Sequence, residues 1–152
     1  MERQNAITNT FRLSALFPTV VFTLNSQLFN SQLLKMNSII YNKSRDFAIR
    51  IINLQKYLLS QQEKVISKQV TRSGTSIGAN VREGTQAQST ADFISKMSIA
   101  LKEAHETDYW LDLLQATDYL SQDEYASIHS DLIELIKIIT SIIITSKQHS
   151  QG

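Results

Sequence analysis

The 152-residue chain has no cysteine, one proline and four glycines. Without cysteine the protein has no disulfide framework, no thiolate zinc site, no iron–sulfur cluster and no cysteine nucleophile. The lack of cysteine also fits a reducing compartment, so we expect a cytoplasmic protein. No apolar run approaches the roughly 18 residues that are needed to span a bilayer, and we expect no membrane association.

Sequence motifs of the common catalytic centres are missing too. Di-iron bundle proteins carry Glu-x-x-His on facing helices, but a lysine, an alanine and a serine stand three positions before His105, His129 and His149. No serine lies in a G-x-S-x-G elbow, and no G-x-x-x-x-G-K-S/T phosphate loop occurs. We therefore predict a protein that is not an enzyme, with no cofactor, no metal and no small-molecule substrate.

Apolar residues recur at helical spacing along four segments that follow Met36. These segments cover residues 39–59, 61–86, 90–117 and 122–147, and they contain no proline. Connections this short place consecutive helices beside each other in opposite directions. We predict an all-α fold, an antiparallel up-down four-helix bundle. The predicted core stripes are Ile40, Ser44, Phe47, Ile51, Leu54 and Leu58 of the first helix, Phe93, Met97, Ala100, Ala104, Thr107, Leu111 and Leu114 of the third, and Tyr125, Ile128, Leu132, Leu135, Ile139 and Ile142 of the fourth.

Three of the predicted helix starts carry a capping pattern, in which a serine stands three residues before an acid. The serine side chain accepts from the amide of the acid, and the acid reaches back to the amide of the serine. Each pattern stands just ahead of a periodic apolar run. The three pairs are Ser60 with Glu63, Ser89 with Asp92, and Ser121 with Glu124.

Residues 1–36 differ in composition from the rest of the chain. They contain the only proline, Pro18, and a single acid, and they sustain no helical stripe. We interpret them as a disordered extension or as an upstream start assigned in error, with Met36 as the true start. A secretory signal is the alternative, although Pro18 breaks its apolar stretch and no clear cleavage site follows. The predicted bundle domain covers residues 37–147, and a disordered tail follows at 148–152.

The second predicted helix holds three of the four glycines, Gly74, Gly78 and Gly84. A glycine inside a helix costs about 1 kcal/mol relative to alanine, so its presence there needs a compensating gain. We interpret these glycines as positions where another helix approaches closely. A binding site for a ligand or phosphate is the alternative. Asn80 and Glu83, one turn apart, are interpreted as a buried hydrogen-bond network, with a binding role as the alternative.

Charge is distributed unevenly, although the net charge is only +1. Residues 43–82 hold eight basic and two acidic side chains, whereas residues 83–135 hold eleven acidic and two basic ones. Three interpretations stay open: pairing between neighbouring helices, a basic face for phosphate backbones, and head-to-tail association of identical subunits. The candidate nucleic-acid contacts are Lys64, Lys68, Arg72 and Arg82.

The fourth helix carries more apolar residues than one bundle seam needs, which indicates either deep burial or a seam between subunits. We expect Tyr109 and Trp110 in the core or at an interface, and Asp108 and Asp112 on a solvated face. His129 is expected as a packed imidazole beside the seam. The apolar residues beyond that seam are Ile133, Ile136, Ile138, Ile143 and Ile144.

A resemblance to a known family covers most of the predicted domain, residues 39–147. Its strongest part is QVTRSGTSIGANVREGTQAQSTADFISKMSIALKEAHETDYWLDLL, residues 69–114, which closely resembles the four-helix-bundle family encoded by intervening sequences within bacterial 23S ribosomal RNA genes. The preceding KSRDFAIRIINLQKYL resembles the first helix of that family. Gly78 stands where many relatives carry proline. The family motif, which we expect to be structural, falls on Arg72, Ser76, Gly78, Asn80 and Glu83.

The resemblance implies a left-handed up-down bundle that assembles into a ring-like homopentamer. The chain is also similar to the accessory variability determinant of diversity-generating retroelements, a strongly basic pentamer that binds nucleic acid and a reverse transcriptase. It departs from that relative in charge, because residues 37–152 hold 12 basic and 13 acidic side chains. Two hypotheses follow. One is an oligomer that binds RNA or another nucleic acid through a basic face. The other is a structural or adaptor oligomer that docks a protein such as a reverse transcriptase.

Overall fold

This computed structural model describes the backbone of residues 2–150 and the side chains of residues 27, 28, 31 and 34–150. Among the described residues there is no β-strand, and the prediction of an all-α fold with four helices is confirmed. The antiparallel order and the left-handed sense of the bundle stay predictions. The four helices are α1 (Glu2–Ser60), α2 (Ile66–Gly84), α3 (Thr90–Ala116) and α4 (Gln122–His149).

The chain divides into two compact units, Met1–Lys35 and Met36–Gly152. The boundary coincides with the change in composition at Met36. In the first unit, which holds the N-terminal part of α1, Leu28 and Leu34 are exposed. The second unit holds the rest of α1, the other three helices and the hydrophobic core.

The beginning of α1 differs from the predicted one. We predicted a first helix from about Ile39, but the backbone is helical from Glu2 onward. A helical backbone does not require an apolar stripe, and residues 19–60 contain neither proline nor glycine to interrupt it. The division into an N-terminal extension, a domain at 37–147 and a tail at 148–152 stays a prediction. Residues 1, 151 and 152 lie outside the described residues.

The capping prediction is confirmed at two helix starts and wrong at the third. Ser89 accepts from the amide of Asp92 at 3.1 Å, and Ser121 forms a complete capping box with Glu124. Ser60 is instead the last residue of α1, and its hydroxyl donates to a carbonyl of that same helix at 2.6 Å.

Helix α2 begins later than predicted, at Ile66, because the chain turns at Gln62 with a φ of 64°. The buried Glu63 then caps the helix, since its carboxylate accepts from the amides of Val65 and Ile66 at 2.8 Å and of Ser67 at 2.5 Å. Burial opposes the ionisation of Glu63, but these amides and the Ser67 hydroxyl together hold its pKa below the ordinary value.

The core of the second unit is built from the predicted apolar stripes. All stripe residues of α1 from Ile40 to Leu58 are buried, as are those of α3 from Met97 to Leu114 and those of α4 from Ile128 to Ile142. Phe93 and Tyr125, which begin their stripes, are half-buried. Full burial of each large apolar side chain stabilises the fold by about 1.5–3 kcal/mol. Helix α2 adds Val70, Ile77 and Val81.

The glycines of α2 lie where a side chain would have little room. A Cβ at Gly78 would lie 3.3 Å from the backbone carbonyl oxygen of Ser44, and one at Gly74 would lie 2.8 Å from Cγ1 of Ile51. At Gly84 it would lie 2.7 Å from a methionine of α3. The interpretation of a close helix approach is thus confirmed, and at Gly78 the approach is to the backbone of α1.

Candidate binding face

Most of the candidate cations lie along the outer side of α2. Five residues follow one another there at steps of four and three, so they form one stripe opposite the buried one. Lys64 lies just before the helix and is exposed as well. All four candidate contacts are therefore accessible to a ligand. The stripe consists of Lys68, Arg72, Thr75, Ala79 and Arg82.

A second stripe runs along α1 at the same spacing. It flanks the contact with α2, because two of its members directly follow Ser44 and Ile51, which meet the glycines of α2. All five members are exposed, and the three apolar ones keep between 41% and 46% of their surface exposed. The stripe consists of Arg45, Ile49, Ile52, Lys56 and Leu59. The two stripes and Lys64 together are called the α1–α2 face below. It carries six cations and no acid.

Ion pairs separate the cations of the basic half of the sequence into two groups. Three of them reach acids of α3 or α4, and these pairs are Lys43 with Glu134, Arg50 with Asp131, and Arg72 with Glu106. Within the described part of the chain, Lys56, Lys64 and Lys68 make no hydrogen bond or ion pair. Pairing between neighbouring helices is thus confirmed for the first group only.

Arg72 belongs to the face and is also paired. Its guanidinium donates to Glu106 at 2.5 Å, and the same carboxylate oxygen accepts from the indole of Trp110 at 3.3 Å. The half-buried indole packs against the core, as expected, while Tyr109 is 55% exposed. The Arg72 side chain itself remains 59% exposed, so the ion pair adds about 0–1 kcal/mol of stability and leaves the cation accessible.

The motif residues do not form the buried network that the sequence predicted. The half-buried Asn80 donates to the carbonyl of Ser76 at 2.9 Å, within its own helix. Glu83 is exposed and accepts from Lys96 of α3 at 2.6 Å, which raises the pKa of Lys96. The prediction is wrong because the partner of Glu83 comes from the neighbouring helix. The contact of Gly78 with α1 and that of Glu83 with α3 fit a structural role for the motif.

A buried polar contact between α2 and α3 was missed from the sequence. The hydroxyls of Ser73 and Thr107 lie 3.0 Å apart, and both residues are fully buried. The available signal was the position of Ser73, three residues after Val70 on the buried stripe. A serine hydroxyl there needs a partner, and the facing stripe of α3 supplies one.

The surplus apolar residues of α4 are divided between the core and the surface. Ile143 is buried, and Ile133, Ile136 and Ile138 are half-buried, so deep burial accounts for part of the surplus. Ile144 is 51% exposed. It lies in an open groove of about 380 Å³ with Ile136. The seam between subunits stays a prediction.

The expected histidine and acid positions are partly confirmed. His129 is a packed imidazole that stacks on the ring of Tyr125 at a centroid distance of 4.9 Å. Its Nε2 lies 3.1 Å from Asp108, which is therefore not the purely solvated acid that we predicted. Burial and the charges of Asp108 and Asp112 raise the pKa of Tyr125. Asp112 is exposed, as expected.

A search of the described residues for metal centres finds no group of three histidine, cysteine or acidic side chains that could hold an ion. No helix in the described part of the structure is long and apolar enough to cross a membrane.

A groove opens where Gly78 of α2 faces Ser44 of α1. Its volume is about 330 Å³, and small residues are among those that line it. Arg45 of α1 and Arg82 of α2 stand at its two sides, so it belongs to the α1–α2 face. The lining residues are Tyr41, Ser44, Arg45, Ala48, Thr75, Gly78, Ala79 and Arg82.

Comparison with known proteins gives the following results. A family model described as 23S rRNA-intervening sequence protein matches residues 36–141. The chain is 55% identical to a protein of unknown function from the S23 ribosomal protein family of Bacteroides thetaiotaomicron, whose crystal structure it matches with a TM-score of 0.70. That match covers 71% of this chain and 97% of the other. None of the curated proteins compared with the chain matches it.

Proposed function

The chain belongs to the 23S rRNA-intervening sequence protein family, and we propose that it is a non-enzymatic cytoplasmic protein that binds RNA through the α1–α2 face. One observation carries the proposal. Six cations and no acid collect on this face, and three of the six, Lys56, Lys64 and Lys68, have no partner among the described residues. Since the net charge is only +1, attraction to a polyanion must be local to this face.

The expected mode of binding is contact with phosphate groups. Lysine and arginine that reach phosphates fix the position of a nucleic acid but read no sequence. Lys64, Lys68, Arg72 and Arg82 are the proposed contacts, with Arg72 sharing its charge between Glu106 and the ligand. Binding of this kind tolerates changes of sequence and weakens with salt, because each neutralised phosphate releases counterions.

We also propose that the protein is a homo-oligomer, with five subunits as the expected number. Two observations support self-association: the opposed charges of the two halves of the sequence, and the exposed Ile144 on the outer side of α4. A ring would repeat the α1–α2 face around its axis, so weak single contacts with one long RNA would add up through multivalency.

An adaptor function is the second candidate, and a specific observation favours it. Ile49, Ile52 and Leu59 run through the α1–α2 face, and their apolar surface gains nothing from a phosphate backbone. A protein partner with an apolar surface and acidic surroundings would cover both kinds of side chain. Under this candidate the chain docks a protein that itself handles nucleic acid, such as a reverse transcriptase, and makes no contact with RNA.

A salt titration tests the RNA proposal. Single-stranded RNA oligonucleotides of unrelated sequence are titrated with the protein by fluorescence anisotropy at several salt concentrations, starting at about 50 mM. We expect similar affinity for the different sequences and a linear fall of log K with log salt concentration. Absence of binding at the lowest salt concentration, or binding that does not change with salt, would refute the RNA proposal and favour the adaptor function.

A further inference from the structure

The groove at Gly78 is a concave part of the α1–α2 face. Three of its lining residues have little or no side chain, namely Ala48, Gly78 and Ala79. The short distance between the helices accounts for the glycine, since a Cβ at Gly78 would lie 3.3 Å from the carbonyl oxygen of Ser44. A volume of about 330 Å³ is ample for a phosphate group and part of the molecule that carries it.

The two sides of the groove each carry a guanidinium group whose charge is poorly compensated. The guanidinium of Arg82 lies 5.3 Å from the centre of the Tyr41 ring, and no acid pairs with it within the described residues. Arg45 has one acidic partner, the adjacent Asp46, at 3.5 Å. Both ends of that pair are about two-thirds exposed, so solvent screens it and its contribution is small.

The position of Arg82 is restrained without using its hydrogen-bond donors. The guanidinium carbon of Arg82 lies over the Tyr41 ring, and this cation–π contact favours that position of the guanidinium. The N–H groups at the edge of the guanidinium plane remain available to an acceptor. A guanidinium presents these donors as a fork that matches two oxygens of a phosphate, which an ammonium group does not.

We infer that this groove is a phosphate-binding subsite, in which one phosphate group is held between Arg45 and Arg82. The inference rests on the proposed function where the phosphate belongs to an RNA backbone, and it stands independently of that function where the phosphate is free or part of a mononucleotide. In the first case the groove fixes one phosphodiester in place, and Lys64 and Lys68 attract the rest of the chain.

The test uses the full chain and two kinds of groove variant. Arg45→Gln with Arg82→Gln removes both charges, while Ala79→Leu fills the groove and leaves the charge unchanged. Lys102→Gln with Lys137→Gln is the matched control, because these exposed lysines of α3 and α4 lie outside the face and form no ion pair with any described residue. Circular dichroism establishes that each variant is folded before binding is measured.

Three probes distinguish the source of the phosphate. Inorganic phosphate and a nucleoside monophosphate are titrated by calorimetry, and a single-stranded RNA is titrated by fluorescence anisotropy. With either source, we expect the affinity of both groove variants to fall by roughly tenfold or more, and the control to bind as the wild type does. Loss with RNA alone assigns the site to a phosphodiester, and loss with the small probes alone assigns it to a free phosphate or a mononucleotide.

The inference and the proposed function can fail separately. If RNA binds, the groove variants bind it as tightly as the wild type and no small probe binds in a groove-dependent way, the subsite is refuted while the proposed function stands. If RNA does not bind but the small probes bind in a groove-dependent way, the proposed function fails and the subsite stands. If no probe distinguishes the groove variants from the control, or none binds, the subsite is refuted.

Discussion

The two sides of the bundle carry opposite charges, and on each side only some of those charges are paired with another helix. On α3 and α4, Asp108, Asp131 and Glu134 are paired with side chains of other helices. On the α1–α2 face, Lys56, Lys64 and Lys68 have no partner among the described residues. The charge balance of a segment therefore does not identify a binding face. The direction of each cation on its helix decides whether a neighbouring helix neutralises it.

The largest expected difference between the two sides is the effect of a charge on the oligomeric state. We expect light scattering to give a mass several times 17.2 kDa, most simply fivefold, and Ile144→Glu to reduce it to that of one chain. A buried charge without a partner in a subunit contact is costly, which is the physical reason. Ile52→Glu is the matched variant on the α1–α2 face, and we expect it to leave the mass unchanged.

Two results would contradict this view of the surfaces. A wild-type protein that is a monomer at micromolar concentration would refute the oligomer. A protein that dissociates with Ile52→Glu and not with Ile144→Glu would make the α1–α2 face a contact between subunits, and that face would then be closed to RNA.

The close approach of α1 and α2 gives the next largest effect. Gly78→Leu would force a side chain against the backbone of Ser44, and we expect it to lower the free energy of unfolding by about 1–3 kcal/mol or more. Ala79→Leu, at the exposed neighbouring position, is the control and should unfold at nearly the wild-type denaturant concentration. Equal stability of all three proteins would mean that α1 does not lie against Gly78.

The Glu63 cap predicts a pH dependence of stability. Its pKa is lowered in the folded state, so its contribution is present at pH values above the ordinary pKa of about 4.5 and is lost as the pH falls through the lower, folded value. Glu63→Gln should cost about 0.5–2 kcal/mol at neutral pH, as the loss of a helix cap does.

Chemical denaturation at a series of pH values measures the effect of the cap. The difference between wild type and Glu63→Gln should shrink on acidification below pH 4.5, because the wild-type carboxylate is then protonated. A difference that stays constant down to pH 2 would show that the ionised carboxylate contributes nothing to the cap.

Removal of residues 1–35 is expected to have the smallest effect on stability. A chain that begins at Met36 keeps the whole second compact unit and every buried core residue that the structure describes. We expect the shortened chain to unfold cooperatively, with a melting temperature close to that of the full chain. Thermal unfolding followed by circular dichroism measures both. Loss of cooperative unfolding in the shortened chain would refute the interpretation of these residues as a dispensable extension.

Local signals in the sequence predicted the parts of the fold that depend on neighbours along the chain. The stripe from Ile40 to Leu58 and the cap at Ser121 are examples, because helical spacing and capping chemistry act within a few residues. The beginning of α2 was missed, since a turn with positive φ at a glutamine has no strong sequence signal. The helical backbone from Glu2 was missed because the prediction relied on apolar periodicity and on composition, neither of which a helical backbone requires.

The candidate face depends on contacts between distant residues, and this is why the sequence predicted only part of it. The four cations were found as candidates, but the pairing of Arg72 with Glu106 and the cation–π contact of Arg82 with Tyr41 join residues on different helices. The groove also needs Gly78 and both arginines together. A single sequence does not reveal which cations remain unpaired once the helices are packed.

Matched charge reversals on the two sides test most simply whether RNA binds to the α1–α2 face. Lys64→Glu with Lys68→Glu changes the α1–α2 face, and Lys102→Glu with Lys137→Glu makes the same change of net charge on α3 and α4. Binding of a single-stranded RNA is measured for both variants across a range of salt concentrations. We expect the first variant to lose binding, or to keep a weak remnant whose salt slope is shallower by about 1.4, while the second binds as the wild type does. Equal losses in both variants, or none in either, would contradict this expectation.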